Sequence, residues 1–143
     1  MTRYIIIGTG VAGIAAAEAI RSTDPAGDIM LIGNDPHGFY SRPGLAYYLT
    51  GELPEAQLFP YPPQQFRKLR LHVRRGRVTR LLADTQEVEL DDRTRLPYDR
   101  LLLATGARAV PPSVPGADLT GVVKLDHLDD ARRIIGLARR AKR

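Results

Sequence analysis

The sequence predicts a three-layer α/β domain: a parallel sheet carrying helices, with a small antiparallel meander on one side. Three observations predict it. The chain opens with the short apolar run Tyr4-Ile5-Ile6-Ile7 and later repeats the pattern in Ile29-Met30-Leu31-Ile32. Continuous runs of this kind mark parallel strands buried on both faces. Between them, Val11 to Arg21 is rich in alanine and reads as a helix, so the three segments make a βαβ unit with its right-handed crossover. From Gly76 to Leu96 the apolar period becomes two, which signals hairpins.

Parallel strands are expected near residues 3–8, 29–33, 71–74 and 100–104, and the meander from about 77 to 96. Asp24-Pro25-Ala26-Gly27 is the turn that ends the first helix. Pro36 to Pro63 holds six of the eleven prolines and four of the six tyrosines. Proline removes a ladder donor, so this stretch is an ordered loop rather than a sheet, with a short helix from Gly44 to Leu49. Pro62-Pro63 opens another short helix reaching Leu69. Leu71-His72-Val73 is the third parallel strand. In the meander, Val78, Leu81 and Leu82 lead to Glu87-Val88-Glu89-Leu90, and Asp91-Asp92-Arg93 forms a turn. Leu101-Leu102-Leu103-Ala104 reads as a continuous buried strand. Val122-Val123 is expected to be a short strand. Asp126 to Arg143 is expected to be a helix, with Asp126 as N-cap and Asp129 and Asp130 in its first turn.

A length of 143 residues suits one domain, 1–143, with one core. The chain has no cysteine, which excludes disulfides, thiolate metal sites and thiol catalysis; no metal site is expected. The formal charge is +5, from 21 basic and 16 acidic residues. Six of the basic ones, Arg132, Arg133, Arg139, Arg140, Lys142 and Arg143, fall in the last dozen positions with no acidic residue among them. The body is therefore nearly neutral, and the clustered charge suits the C-terminal end of a helix dipole. A nucleic-acid protein would spread basic residues over a face and interleave aromatics, so no nucleic-acid partner is expected. No apolar run reaches membrane-spanning length and no cleavage site follows the N-terminus, so no membrane association is expected and the cytoplasm is the expected compartment.

The strongest chemical signal is Gly8-Thr9-Gly10-Val11-Ala12-Gly13, which follows a strand and opens a helix. Gly8 makes the tight turn, Gly10 lets the backbone approach a pyrophosphate, and Gly13 allows helix and strand to pack closely. The helix N-terminus then presents N–H groups and partial positive charge to the anion. Such a site needs a carboxylate about 20 residues on to hold a ribose hydroxyl. Asp35 fills that place, with Asn34 as the rival and an Asx-turn before Pro36 as the purely structural alternative.

Two further motifs carry a resemblance: Tyr40-Ser41-Arg42-Pro43 followed by Leu45-Ala46-Tyr47-Tyr48-Leu49, and Leu96-Pro97-Tyr98-Asp99-Arg100-Leu101-Leu102-Leu103-Ala104-Thr105-Gly106. With the glycine motif, they make the chain similar to the FAD-binding portion of NAD(P)H-dependent two-dinucleotide flavoproteins, the pyridine nucleotide-disulfide oxidoreductase superfamily. It resembles most the rubredoxin reductases, ferredoxin reductases and nitrite reductase large subunits. The resemblance implies a Rossmann-like FAD/NAD(P)-binding fold and FAD as cofactor, with NAD(P)H as co-substrate. In the full-length enzyme, electrons would pass from nicotinamide through FAD to a redox partner protein or a small oxidant. It implies that Gly8, Gly10, Val11, Ala12 and Gly13 hold the pyrophosphate and that Asn34 and Asp35 meet the adenosine ribose. Arg42 would lie near the phosphates, with a surface salt bridge as its structural alternative. Val78 would meet the adenine through its backbone. Ala104, Thr105 and Gly106 would pack beside the cofactor, followed by Arg108.

The sequence also departs from that family. Tyr47 stands where several relatives carry a lysine near the flavin; burial in the core is its other reading. The loop cysteine of other relatives is missing. Catalytic residues cannot be named: His37, His72 and His127 are scattered, without partners at a readable spacing. The chain is short of the family's inserted NAD(P)H domain, its return segment and its interface domain, so it reads as the first segment of the FAD-binding domain, inactive alone, with an open edge across which two copies are expected to pair. The alternatives are an NAD(P)-binding Rossmann domain of a dehydrogenase and a non-catalytic nucleotide-binding module.

Overall fold

The computed structural model describes residues 1–141. The chain divides into two compact units, one made of Met1–Phe39 and Tyr61–Gly106, the other of Tyr40–Pro60 and the chain from Ala107 onward. The first holds the whole sheet. Strands β1 (Arg3–Ile7), β2 (Asp28–Gly33), β3 (Leu71–Arg75) and β7 (Arg100–Leu103) form a parallel sheet in the order β3-β2-β1-β7. Strands β4 (Val78–Leu82), β5 (Glu87–Leu90) and β6 (Arg95–Pro97) form the antiparallel meander. Helix α1 (Val11–Thr23) buries Gly13, Ile14 and Ala17, residues on one helical face. It packs with Ile6, Ile29 and Leu31 on one side of the sheet, where Phe66 of α3 (Pro63–Lys68) also lies. On the other side Ile5 and Ile32 meet Val88, Leu90 and Tyr98 of the meander segment. The alternation of Ile5 and Ile6 onto opposite faces follows from the period of two.

Helix α1 ends where Pro25 cannot continue it. The Asp24 carboxylate accepts the Ala26 N–H at 3.2 Å and the Tyr4 hydroxyl at 3.1 Å. Arg21 in the last turn donates to the carbonyls of Leu69 and Gly27, both at 2.8 Å, and so ties the helix end to the connection between α3 and β3. In the meander, Glu89 is buried on the face opposite Val88 and Leu90, under its cross-strand neighbours Arg80 and Arg95 and beside Arg93, at 3.2–3.9 Å. Burial pushes this carboxyl up, but the Arg95 hydrogen bond and the three guanidiniums outweigh it and hold it below its usual range.

The expected strands and meander lie where the sequence places them, but β7 is not buried. Leu102 and Leu103 are 38% and 60% exposed. The strand is the sheet's edge, paired only with β1, so a composition that elsewhere signals burial on both faces lies open here. Val122 and Val123 form no strand; they are exposed loop residues. In the second unit, α2 (Gly44–Thr50) extends one residue past expectation and a 3-10 turn (Glu55–Leu58) follows. Helix α4 is Leu128–Ala138, shorter than the helix expected from Asp126. Its N-cap is His127 rather than Asp126, because Asp130 reaches back to accept the His127 and Asp126 N–H groups at 3.1 and 3.0 Å. Lys142 and Arg143, the end of that expected helix, lie outside the described residues. The unit's core joins Tyr40, Leu45, Leu58, Leu128 and Ala131. Among the described residues no helix is long and apolar enough to cross a membrane.

One ion pair fastens the start of β7 to β1. The Arg3 guanidinium donates to both Asp99 oxygens, at 2.8 and 3.2 Å, and the Arg3 N–H donates at 2.7 Å. These bonds draw the Asp99 carboxyl down to about 2. Because the folded value lies below the unfolded one, the contribution is complete above roughly pH 5 and fades as pH falls toward 2. The melting-temperature difference between the wild type and Asp99→Asn is therefore expected to be constant from pH 7 to 5 and to shrink between about pH 4 and 2. A difference that does not change with pH would show that the ion pair adds nothing.

Candidate functional site

The glycine motif lies at the carboxyl ends of the central strands. Since β2 flanks β1 on one side and β7 on the other, the chain leaves β1 at a topological switch point, where open α/β sheets form their ligand crevice. The Gly8 N–H donates to the Ile32 carbonyl and the Ala104 N–H to the Ile7 carbonyl, both at 2.8 Å. Gly8 has φ +124°, and a Cβ there would lie 2.0 Å from the Ala104 carbonyl oxygen. A Cβ on Gly13 would lie 2.1 Å from the Gly8 carbonyl oxygen. These two glycines are thus required by the chain's own backbone, and the glycine and Ala-Thr-Gly motifs touch.

Gly10 is different. It is the N-cap of α1, with φ −80° and ψ −174°, a conformation open to any residue, and a Cβ on it would meet nothing within 4 Å. Nothing within 4 Å of it in the chain demands a glycine here, and a residue without a side chain leaves room for the backbone to be approached closely. The surroundings suit an anion. Gly10 has no side chain to cap the helix, no acidic residue occupies the first turn, and Val11 and Ala12 are exposed. The residues present therefore fit the diphosphate of a dinucleotide.

The other expected residues of this unit fall as follows. Asn34 is exposed just past β2, and Asp35 is half-buried. The Asp35 carboxylate accepts the His37 N–H at 2.9 Å, so the Asx-turn is present. Val78 opens β4 and pairs with Leu90, with a register irregularity between Val78 and Arg80. Ala104 is half-buried, while Thr105 and Gly106 are exposed, Gly106 with φ +68°. One residue escaped the sequence reading: Thr9, whose side chain fills the space where a Cβ on Gly33 would sit, 2.7 Å away. Its position within the motif was the only signal available.

In the second unit, Arg42 forms the salt bridge held as its structural alternative: Nη1 is 3.6 Å from Asp126 and Nη2 is 3.3 Å from His127 Nδ1. Tyr47 is 57% exposed, which overturns burial in the core; its backbone carbonyl accepts the N–H groups of Glu52 and Leu53 that close α2. Arg108 is exposed, next to Ala109, whose N–H donates to Asp126 at 3.3 Å. The histidines are not without partners. His127 meets Arg42 and Asp126, and His72 in β3 lies 3.6 Å from Asp28.

Comparison with known proteins gives a consistent answer. A family model described as pyridine nucleotide-disulphide oxidoreductase matches residues 2–142. The chain is 43% identical over 132 residues to rhodocoxin reductase of Rhodococcus erythropolis, covering 91% of this chain and 31% of that protein. It is 39% identical over 132 residues to the ferredoxin reductase component of a chlorobenzene dioxygenase from Cupriavidus sp. strain PS12, covering 92% of this chain and 32% of that one. The putidaredoxin reductase–putidaredoxin complex superposes with a TM-score of 0.84 at 30% identity, over 95% of this chain and 34% of that chain. The chain thus spans about a third of the length of the proteins it matches.

Proposed function

The chain belongs to the pyridine nucleotide-disulphide oxidoreductase family, and on that footing we propose that it is the FAD-binding portion of an NAD(P)H-dependent flavin oxidoreductase. It is read as the first segment of that protein's FAD domain, in the cytoplasm, with a redox partner protein or small oxidant taking the electrons; two copies are expected to pair. The observation that carries the proposal is Gly10, a glycine left open in a helix N-terminus that its own chain does not neutralise. When bound, FAD supplies the chemistry: it accepts hydride from nicotinamide and passes electrons on.

The chain's residues bind and orient. The N–H groups of Val11, Ala12 and Gly13 at the start of α1 would face the pyrophosphate, with Gly8 and Gly13 keeping the backbone close-packed beneath it. Asp35, or Asn34 beside it, would accept a ribose hydroxyl, and the Asx-turn would hold the Asp35 carboxylate in one orientation. The backbone of Val78 would meet the adenine. Ala104, Thr105 and Gly106 would pack beside the cofactor. Arg42 is the cation proposed for its phosphates, and Arg108 follows the segment that packs beside the cofactor.

The test is titration of the chain with FAD, ADP and NAD. FAD and ADP are expected to bind with affinities within about tenfold of each other, since the residues named serve mainly the adenosine diphosphate half. NAD carries the same adenosine diphosphate half and is expected to bind about as tightly as ADP, within about tenfold. Failure of both FAD and ADP to bind would overturn the proposal, and NAD binding tighter than FAD would favour a dehydrogenase-type domain.

A further inference from the structure

We propose that Thr9 is a positioning residue for the dinucleotide: its side chain is a brace that sets the gap between the first turn of α1 and the end of β2, and Gly33 is the seat it rests on. This stands on the reading of the crevice as a dinucleotide site, with the diphosphate at α1 and the ribose at Asn34 or Asp35. All of these residues belong to the first unit.

Gly33 closes β2 and lies opposite Arg75 in the parallel ladder. It is not among the glycines with positive φ, so its backbone conformation admits any residue. One neighbour excludes a side chain there. A Cβ on Gly33 would lie 2.7 Å from both Oγ1 and Cγ2 of Thr9 and 3.2 Å from the Thr9 Cβ. Threonine branches at Cβ, so its two heavy atoms fill two of the three staggered positions in every rotamer. Two of those positions face Gly33, so each rotamer keeps at least one heavy atom against it. Rotation cannot clear the space; the glycine loop itself would have to shift.

Both ends of the brace are tied down by backbone bonds. The Gly8 N–H donates to the Ile32 carbonyl at 2.8 Å, and the Gly76 N–H donates to the Gly33 carbonyl at 3.0 Å. Thr9 directly precedes Gly10, the N-cap of α1, and Gly33 directly precedes Asn34. The contact therefore joins the two backbone segments that would hold the two ends of an adenosine diphosphate. A gap already set in the free chain leaves less to order when the ligand arrives.

The test is titration of the wild type and its variants with ADP and with adenosine, beside a thermal melt. Gly33→Ala is expected to weaken ADP about tenfold, because the loop must shift, and adenosine about threefold at most, because adenosine spans only one end. Adding Thr9→Ser to Gly33→Ala is expected to bring ADP back to within about threefold of wild type, since serine has one heavy atom and can turn it away. With Gly33 intact, Thr9→Val keeps the branched shape and is expected to hold ADP affinity within about twofold, whereas Thr9→Ala is expected to weaken it about threefold to tenfold. A Gly33→Ala chain that melts lower but binds ADP like the wild type would show a contact serving packing alone and overturn the proposal. Absence of rescue by Thr9→Ser, or a loss in Thr9→Val equal to that in Thr9→Ala, would also overturn it. Failure of the wild type to bind ADP would overturn the dinucleotide reading, and this proposal with it. If Gly33→Ala does not fold, the Thr9 variants decide: wild-type ADP affinity in Thr9→Ala overturns the brace.

Discussion

Gly10→Val is expected to abolish FAD binding while leaving the chain folded. The valine backbone adopts φ −80°, ψ −174° without strain, and its Cβ would project into open space. The fold therefore loses only a favourable N-cap residue, a cost of about 1 kcal/mol and a fall in melting temperature of about 3 °C. The ligand loses far more. The isopropyl group would stand where the diphosphate approaches the first turn of α1. Each charge-assisted hydrogen bond from that turn is worth roughly 1.5–3 kcal/mol, so the loss of two lowers affinity by at least about 100-fold. Fluorescence titration with FAD, beside a thermal melt, measures both quantities. FAD affinity within about threefold of wild type would show that the anion does not sit at this helix terminus.

Gly8→Ala is expected to have the opposite signature, a loss of fold first. Alanine at φ +124° is strained in its own backbone, and its Cβ would lie 2.0 Å from the Ala104 carbonyl oxygen and 2.6 Å from the carbonyl carbon. Both obstacles are backbone, so no side-chain rotation relieves them. The edge strand β7 could retreat only by giving up the bond from the Ala104 N–H to the Ile7 carbonyl and the packing behind it. Strain and lost pairing together are expected to destabilise the chain by about 3–5 kcal/mol, a fall in melting temperature on the order of 10 °C. A denaturant or thermal melt checks this. A stability within about 0.5 kcal/mol of wild type would mean that the two motifs are not in contact. The pair of variants separates the motif into a part required by packing and a part required by a ligand.

The parallel strands, the meander and α1 were legible in the sequence because each follows a local rule. Ile5 and Ile6 point to opposite faces of the sheet by strand alternation alone, and glycines at this spacing between a strand and a helix mark a tight turn with close helix–strand packing. Residues whose environment depends on a partner far away were not legible. Leu102 and Leu103 have the composition of a buried strand, but exposure depends on how many neighbours the strand has, which no local pattern records. Asp126 looked like an N-cap; the Asp130 side chain, three residues beyond His127, moved the cap one position on. Arg42 and Asp126 could not be paired from the sequence, since nothing in their local patterns points to each other.

The sequence alone determined the order of elements, the period of each strand and the three glycines, because these express backbone sterics and side-chain alternation over a few residues. Tertiary structure alone separated the glycines by role. Gly8 and Gly13 are held by carbonyls of Ala104 and Gly8, whereas Gly10 faces open space. The physical reason is that steric demand at a glycine is set by whichever atoms fold against it, and the atoms that fold against Gly8 lie at the far end of the unit's chain.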